Sequence, residues 1–218
     1  MYKRQVLIRF GKWDEIIAQD LPGDTELYAA TTAMMLYAKG VAFSATGRIA
    51  QAEAARTAFL SAKERVPKTR RVHNNILPDL LAIAGEMLDG ELEYRKGNYD
   101  VAFAHLRRSV ALEDALPYDE PWGWMQPVRH ALGALLLEQD RVAEAEAVYR
   151  ADLGLDPTLS RACQHPGNVW ALAGLHECLT RREADAEALI IRQSLDIAAA
   201  RAEVSVMVSC LCRRTISR

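Results

Sequence analysis

The cysteine and histidine residues between positions 163 and 212 are the side chains whose spacing most suggests chemistry. Three short segments each hold two sulfur or imidazole groups one residue apart: Cys163-Gln164-His165, His176-Glu177-Cys178 and Cys210-Leu211-Cys212. Together they contain all four cysteines of the chain. Thiolate and imidazole are ligands that Zn²⁺ and copper favour. The pairs therefore indicate a candidate zinc or copper site formed by Cys163, His165, His176 or Cys178, Cys210 and Cys212.

The spacing of these ligands leaves other interpretations open. Residues two apart on a helix point about 200° away from each other, so only one of His176 and Cys178 can easily face a shared ion. The spacing also does not reproduce a zinc finger. Cys178 could instead be a small buried apolar side chain and His165 a loop or capping residue. Cys210 and Cys212 could be tail thiols, a disulfide or a redox-active pair.

The sequence has no pattern typical of a catalytic centre. It lacks a nucleophile elbow, a phosphate-binding loop and an HExxH motif. Asp119 and Glu120 are adjacent carboxylates, but neighbouring side chains rarely converge on one bond, and acid/base catalysis needs a positioned pair in a cleft. We therefore predict that the protein is not an enzyme.

The elements that must position these residues have a helical periodicity. An apolar stripe at three-or-four-residue spacing is formed by Val128, Leu132, Leu135 and Leu136. A comparable alternation typical of strands is not found. Short breaks separate the helical stretches at Gly47-Arg48, Gly97-Asn98 and Asp140-Arg141. Breaks of this length predict antiparallel helical hairpins.

The breaks belong to an internal repeat. A glycine stands seven residues before each break and an alanine five residues after it, at Gly40 and Ala52, Gly90 and Ala102, and Gly133 and Ala145. We assign Gly174 and Ala186 to a fourth copy, in which Arg181-Arg182 replaces the turn glycine. The pattern resembles the tetratricopeptide repeat. The third copy fits best, with Leu132-Gly133, Ala145, Tyr149 and Pro157 in the family's order.

This resemblance implies an all-α solenoid, in which antiparallel helical hairpins stack into an α-α superhelix with one concave face. We assign one domain to residues 1–218. It comprises a half-repeat at 6–20, four repeats at about 25–66, 76–114, 126–157 and 168–200, and a tail at 201–218.

The resemblance also implies a peptide-binding groove lined by the first helix of each hairpin. The candidate groove residues are Tyr37, Met87, Glu91, Tyr94, Arg95, His130 and Glu138. The alternative is an inner surface that only contacts solvent, since most surface positions contribute little to binding. We predict a non-enzymatic scaffold whose partner is a protein or peptide; a zinc- or copper-binding repeat protein is the alternative function.

The segment 116–127 is the most distinctive connector, because it has three prolines and two tryptophans in twelve residues. As a structural loop it would bury Trp124 under the next helix and use Asp119 or Glu120 to cap that helix. As a binding loop it would present Trp122 beside Glu120. Its candidate binding residues are Tyr118, Glu120, Trp122 and Trp124.

Longer strings from Leu80 onward are similar to a bacterial family of tetratricopeptide-repeat proteins without an assigned reaction. They are ALEDALPYDEP (111–121), PVRHALGALLL (127–137), EAEAVYRADL (144–153), RACQHPGNVWAL (161–172), GLHECL (174–179) and SCLCR (209–213). The family's tails have a Pro-Ile pair where this chain has Ser205-Val206. The resemblance implies neither a known catalyst nor an established metal.

Composition gives no sign of a nucleic-acid or membrane partner. Lys and Arg total 27 against 29 Asp and Glu, a net charge of −2 without a broad basic excess. Apolar runs stay shorter than the roughly 20 residues that cross a bilayer. The oligomeric state is not indicated by the sequence.

The first residues suggest a truncated reading frame. Met1-Tyr2-Lys3-Arg4-Gln5 resembles the translation of a transposon-end adapter used in sequencing libraries. The apolar segment 6–10 ends at Gly11 and a helix restarts at Trp13, so the chain opens within a repeat. We hypothesise that the true N-terminus is missing, so that the cellular location is cytoplasmic only by default. Resequencing the source clone through its 5′ end tests this.

Overall fold

The computed structural model describes residues 2–213, which form ten α-helices and one short two-stranded ribbon. The helices are α1 (Tyr2–Arg9), α2 (Trp13–Ile17), α3 (Ala29–Ala45), α4 (Ile49–Glu64), α5 (Leu77–Arg95), α6 (Tyr99–Asp114), α7 (Val128–Glu138), α8 (Val142–Leu153), α9 (Val169–Arg181) and α10 (Asp185–Ala199). The antiparallel strands are β1 (Arg71–Val72) and β2 (Asn75–Ile76), and a 3₁₀ turn covers Arg161–Cys163. The predicted all-α fold class is confirmed. Within residues 2–213, each helix is too short or too polar to cross a membrane.

The helices of each pair are joined by turns of one geometry. One residue per turn adopts a positive φ, at Gly11, Gly47, Gly97, Asp140 and Glu183. In the second of these turns, Gly47 donates its N–H to the Ser44 carbonyl at 2.9 Å and Arg48 donates to Phe43 at 2.8 Å. The other four turns repeat this pattern, which is the Schellman arrangement that satisfies the last carbonyls of a helix. The predicted turns at 47, 97 and 140 are confirmed.

The fourth hairpin is offset by two residues from the predicted register. Its positive-φ residue is Glu183, so the positions seven before and five after are His176 and Ala188 rather than Gly174 and Ala186. Ala188 is buried, as its counterparts Ala52, Ala102 and Ala145 are, whereas Ala186 is exposed. The prediction was wrong here because Glu183 gives no glycine signal for a turn that is defined by backbone conformation.

The chain divides into two compact units, and the first extends to Val128. In it α1 and α2 pack against α3, α3 packs against α4 and α5, and α5 packs against α6. Glycines permit close approach of these helices: a Cβ on Gly40 would lie 2.6 Å from Leu88 Cδ1, and one on Gly90 would lie 2.7 Å from Leu106 Cγ. Gly40 and Gly90 therefore serve close packing of the helices.

The second unit begins at Arg129. Within it α9 packs against both α8 and α10. The fully buried ring of Tyr149 on α8 lies against Gly133 of α7 and Gly174 of α9, where a Cβ would collide with the ring at either position. Tyr149 is thus the side chain around which three helices of this unit meet.

Candidate functional site

The connector 116–127 covers a face of α3 in the first unit through Trp124. This side chain is 2% exposed, and its ring lies 5.7 Å from that of Tyr37 in an edge-to-face arrangement. The hydroxyl of Tyr37 donates to Met87 Sδ at 3.5 Å. Burial, with a smaller effect from the charge of Glu91, raises the pKa of Tyr37 far above its usual value. Tyr37, Met87 and Trp124 are therefore core residues of this unit.

A second anchor of the connector is polar. The Asp119 carboxylate accepts hydrogen bonds from the Asn74 backbone N–H and from Asn75 Nδ2, both at 3.1 Å. Gly123 lies so close to Asn75 that a Cβ would be 2.6 Å from Nδ2. The helix cap expected of Asp119 or Glu120 is not formed by either residue. Glu113 instead accepts the first N–H of α7, from Val128 at 2.9 Å.

Tyr118, Glu120 and Trp122 remain at the surface next to these anchors. Tyr118 is 57% and Trp122 44% exposed, and Glu120 is exposed as well. The Tyr118 hydroxyl donates to the Glu120 carboxylate, and this hydrogen bond raises the pKa of Tyr118. We call Tyr118, Glu120 and Trp122 the connector patch. It combines two aromatic rings with one carboxylate on a loop held at both sides.

The other candidate groove residues of α5 are buried rather than presented at a surface. Glu91 and Arg95 form an ion pair at 3.2 Å in which each side chain is 5% exposed. The Arg95 guanidinium lies 5.1 Å from the centre of the Tyr94 ring, and Tyr94 is buried too. Charge pairing and ring stacking make this group part of the helix packing.

In the second unit, the candidate groove residue His130 is fully buried in a cluster with Asp152 and His165. His130 Nε2 and Asp152 Oδ2 are 2.9 Å apart, and His165 Nδ1 lies 2.9 Å from Asp152 Oδ1. The His165 backbone N–H also donates to the Asp152 carbonyl at 2.6 Å. Asp152 on α8 therefore joins α7 to the loop that precedes α9. Glu138, the remaining groove candidate, is half-buried at the end of α7.

The carboxylate at the centre of this cluster stays ionised. Burial by itself raises the pKa of Asp152, but the charge and hydrogen bond of His130, together with the hydrogen bond of His165, outweigh it and hold the pKa well below its usual range. Asp152 and His130 have no exposed side-chain surface. The arrangement therefore fixes positions inside the unit instead of offering a proton to a substrate.

The tail segment, Val208–Arg213, lies next to this cluster and contacts α7, α8 and α9. Ser209 Oγ donates to the His130 carbonyl at 2.8 Å and lies 2.5 Å from the Tyr149 hydroxyl. Arg213 Nη1 pairs with Glu177 Oε2 of α9 at 2.7 Å. All of the segment except the half-buried Leu211 is buried. A candidate groove position in this unit is thus covered by a non-helical segment of the chain itself.

The candidate metal ligands lie in several different environments. Cys210 and Cys212 are joined as a buried disulfide, and Cys163 in the 3₁₀ turn accepts a hydrogen bond from Ser160 Oγ at 3.3 Å. Cys178 is buried in α9, which raises the pKa of its thiol to about 12. Within residues 2–213, no three His, Cys, Asp or Glu side chains are arranged to hold a metal ion. Metal binding stays a prediction.

His176, the remaining candidate ligand, lines a cleft of about 680 Å³ in the second unit. Burial and the positive charge of Arg192 lower the pKa of His176. The cleft runs between α9, α10 and residues 202–207, and Glu177, Arg181 and Asp196 give it charges of both signs. In the first unit, a further cleft of about 540 Å³ contains the Arg56–Asp89 ion pair.

Asp152, Tyr149 and Ser209 were not among the residues predicted to form a site. Asp152 had a usable signal, because it falls on the stripe of α8 that contains Ala145 and Tyr149. A carboxylate on an apolar stripe needs buried partners. Ser209 had no such signal in the sequence, because the residues that it contacts are 60 and 79 positions away in the chain.

These observations define an all-α protein of consecutive packed helices joined by equivalent turns. Comparisons with protein-family models, with curated proteins and with solved structures gave no significant match.

Proposed function

We propose that the protein is a non-enzymatic scaffold of the tetratricopeptide type, which binds a peptide segment of another protein at the connector patch. Five turns of one geometry and a buried alanine at the same place in four hairpins support a repeat architecture. Repeats of this kind stack into a superhelix and bind partners through surface detail that differs between family members.

The division of the connector into anchors and exposed rings is the observation that carries this proposal. Trp124 and Asp119 are buried and held by named contacts, while Tyr118 and Trp122 keep about half of their surface in water. A rigid loop loses little conformational entropy on binding, and Tyr and Trp are enriched among the residues that dominate interface energies. The connector therefore suits recognition better than a loop that only joins two helices.

The chemistry of the patch suggests its ligand. Two ring faces favour an apolar or guanidinium-bearing side chain, and Glu120 adds a negative charge beside them. The Tyr118 hydroxyl occupies one oxygen of Glu120, and the other oxygen can accept from a cation. We therefore expect a peptide in which an apolar residue stands next to Lys or Arg.

The covered faces of the helices provide further support. The tail segment shows that a face formed by α7, α8 and α9 can hold non-helical chain by hydrogen bonds to a main-chain carbonyl and to side chains. A partner peptide would be bound by the same kind of contacts next to the connector patch.

Selection from a displayed peptide library tests the proposal. Selected peptides are measured by calorimetry against the wild-type protein and a Tyr118→Ala/Trp122→Ala variant. We expect affinity to fall at least about tenfold, since each truncated hot-spot residue costs more than about 1 kcal/mol. The matched control is Leu27→Ala/Tyr28→Ala, which removes two exposed apolar side chains elsewhere in the first unit. Equal binding to wild type and variant, or a library without binders, contradicts the proposal.

A further inference from the structure

Helix α10 has an apolar surface on two sides. Ala188 and Ile191 are buried against the second unit. On another side, Leu189, Ile190 and Ile197 are 67%, 63% and 67% exposed. Single exposed apolar residues are common, but three large ones on one helix call for a partner.

The exposed residues form a continuous face. At about 100° per residue, one arc of roughly 100° contains Ala186, Leu189, Ile190, Gln193, Ile197 and Ala200. All six are exposed, and Gln193 is the only polar one. Their spacing of three or four residues is that of a helix-packing seam rather than of a solvent-facing surface. We call these six residues the outer face of α10.

We propose that the outer face of α10 binds the outer face of α10 from a second copy of this chain, with the two helices antiparallel about a two-fold axis at Gln193. Five of the six residues match one another about that point, and Ile190 lies level with Asp196 of the second copy. Ala186 and Ala200 are equally far from Gln193, so small residues oppose small ones. Leu189 and Ile197 are also equidistant, so large residues oppose large ones. A two-fold interface requires such a match, because the same surface is used twice.

The charges beside the outer face agree with this arrangement. Arg192 and Asp196 lie on one flank of it and form an ion pair at 2.8 Å within the helix. An antiparallel pair places the same flanks of both helices together. Arg192 then lies about 3 Å along the axis from Asp196 of the second copy, at a rise of 1.5 Å per residue. The two Arg192 side chains also lie about 3 Å apart along the axis, so two attractive Arg–Asp pairs are set against one repulsive Arg–Arg pair, and the net interaction favours this register.

The size of the contact indicates a reversible dimer. Fifteen residues of α10 extend over about 22 Å, and one helix pair lies at the small end of stable interfaces. Association should therefore depend on protein concentration.

Sedimentation velocity over a concentration series tests the association. We expect the wild-type chain to dimerise and an Ile190→Asp/Ile197→Asp variant to bind itself at least about a hundredfold more weakly, because like charges meet across the seam. The control Leu155→Asp changes an exposed apolar residue outside α10 and should dimerise as the wild type does. Circular dichroism confirms that each variant is folded.

Cysteine cross-linking tests the geometry independently of those variants. Gln193→Cys should give a disulfide-linked dimer on mild oxidation, whereas the wild-type chain should not. Ala186→Cys alone should stay unlinked, since its two copies lie about 21 Å apart along the axis, but it should cross-link to Ala200→Cys when the two are mixed. The proposal is overturned by a chain that stays monomeric at every concentration, by a dimer that the Asp substitutions leave intact, or by cross-linking of Ala186→Cys alone.

Discussion

The connector 116–127 and the tail segment 208–213 each cover helix faces that carry predicted groove residues, but different interactions hold them. The connector inserts Trp124 beside Tyr37, so its main contact is apolar. The tail segment is held by Ser209 on the His130 carbonyl and the Tyr149 hydroxyl, and by the Arg213–Glu177 ion pair. The connector thus has an aromatic anchor beside the polar one at Asp119, whereas the contacts described for the tail segment are all polar.

This difference determines how firmly each segment is held. Burying a large aromatic side chain stabilises by several kcal/mol, whereas one hydrogen bond contributes about 1 kcal/mol net. The connector should therefore open only when the first unit unfolds. The tail segment should open locally at a smaller free energy.

Substitution of Trp124 tests how firmly the connector is held, and it has the largest expected effect on stability. Trp124→Ala should lower the free energy of unfolding by about 3 to 5 kcal/mol, because it leaves a cavity beside Tyr37. Trp122→Ala is the matched control and should change it by less than about 1 kcal/mol, since Trp122 is half exposed. Urea unfolding of both variants measures the difference. Similar losses in both would mean that the connector is not anchored as described.

The positions of the helices could be predicted from the sequence because their signals are local. Gly47 and Gly97 mark their turns directly, and the apolar stripes mark the buried helix faces. Glu183 fills the same turn position without a local signal, which displaced the fourth hairpin by two residues in the prediction. Local chemistry predicts helices, but a left-handed residue other than glycine is seen only in the structure.

The site residues were harder to predict because their partners are distant in the chain. Trp124 could be assigned to either a structural or a binding role, and burial against Tyr37, 87 positions away, decided for the structural one. His130 was predicted to line a groove, but Asp152 and Ser209 enclose it. One helical period places a side chain on a face; it does not tell which segment covers that face.

A substitution of Asp152 tests the cluster of His130, Asp152 and His165 that lies beneath the tail segment. Its expected effect on stability is intermediate. Asp152→Asn should lower the free energy of unfolding by about 2 kcal/mol at pH 7, because the hydrogen bonds to two imidazoles lose a charged acceptor. The folded-state pKa of Asp152 is depressed, so its contribution is complete above the unfolded pKa of about 3.9 and is lost as pH falls below it.

The pH profile separates this effect from a general loss of packing. Urea unfolding between neutral pH and pH 3 should show the difference between wild type and Asp152→Asn shrinking on the acid side. Glu203→Gln, which changes an exposed carboxylate of the same unit, is the control. A difference that stays constant down to pH 3 would show that the charge of Asp152 does not stabilise the cluster.

The smallest expected effect concerns the hydrogen bonds of the tail segment. Tyr149→Phe should lower the free energy of unfolding by about 1 kcal/mol, because it removes the contact between the two hydroxyls; Ser209→Ala should lower it somewhat more, because it also removes the hydrogen bond to the His130 carbonyl. Ser205→Ala, at an exposed position of the tail, should have no measurable effect.

The double variant decides whether that contact is what holds the tail segment. If it is, Ser209→Ala/Tyr149→Phe should lose about 1 kcal/mol less than the sum of the single losses, since the shared hydrogen bond can be removed only once. Strict additivity would mean that Ser209 acts only through the His130 carbonyl. Ser209 would then attach the tail to α7 only, and the contrast with the connector would rest on that hydrogen bond and on the Arg213–Glu177 pair with α9.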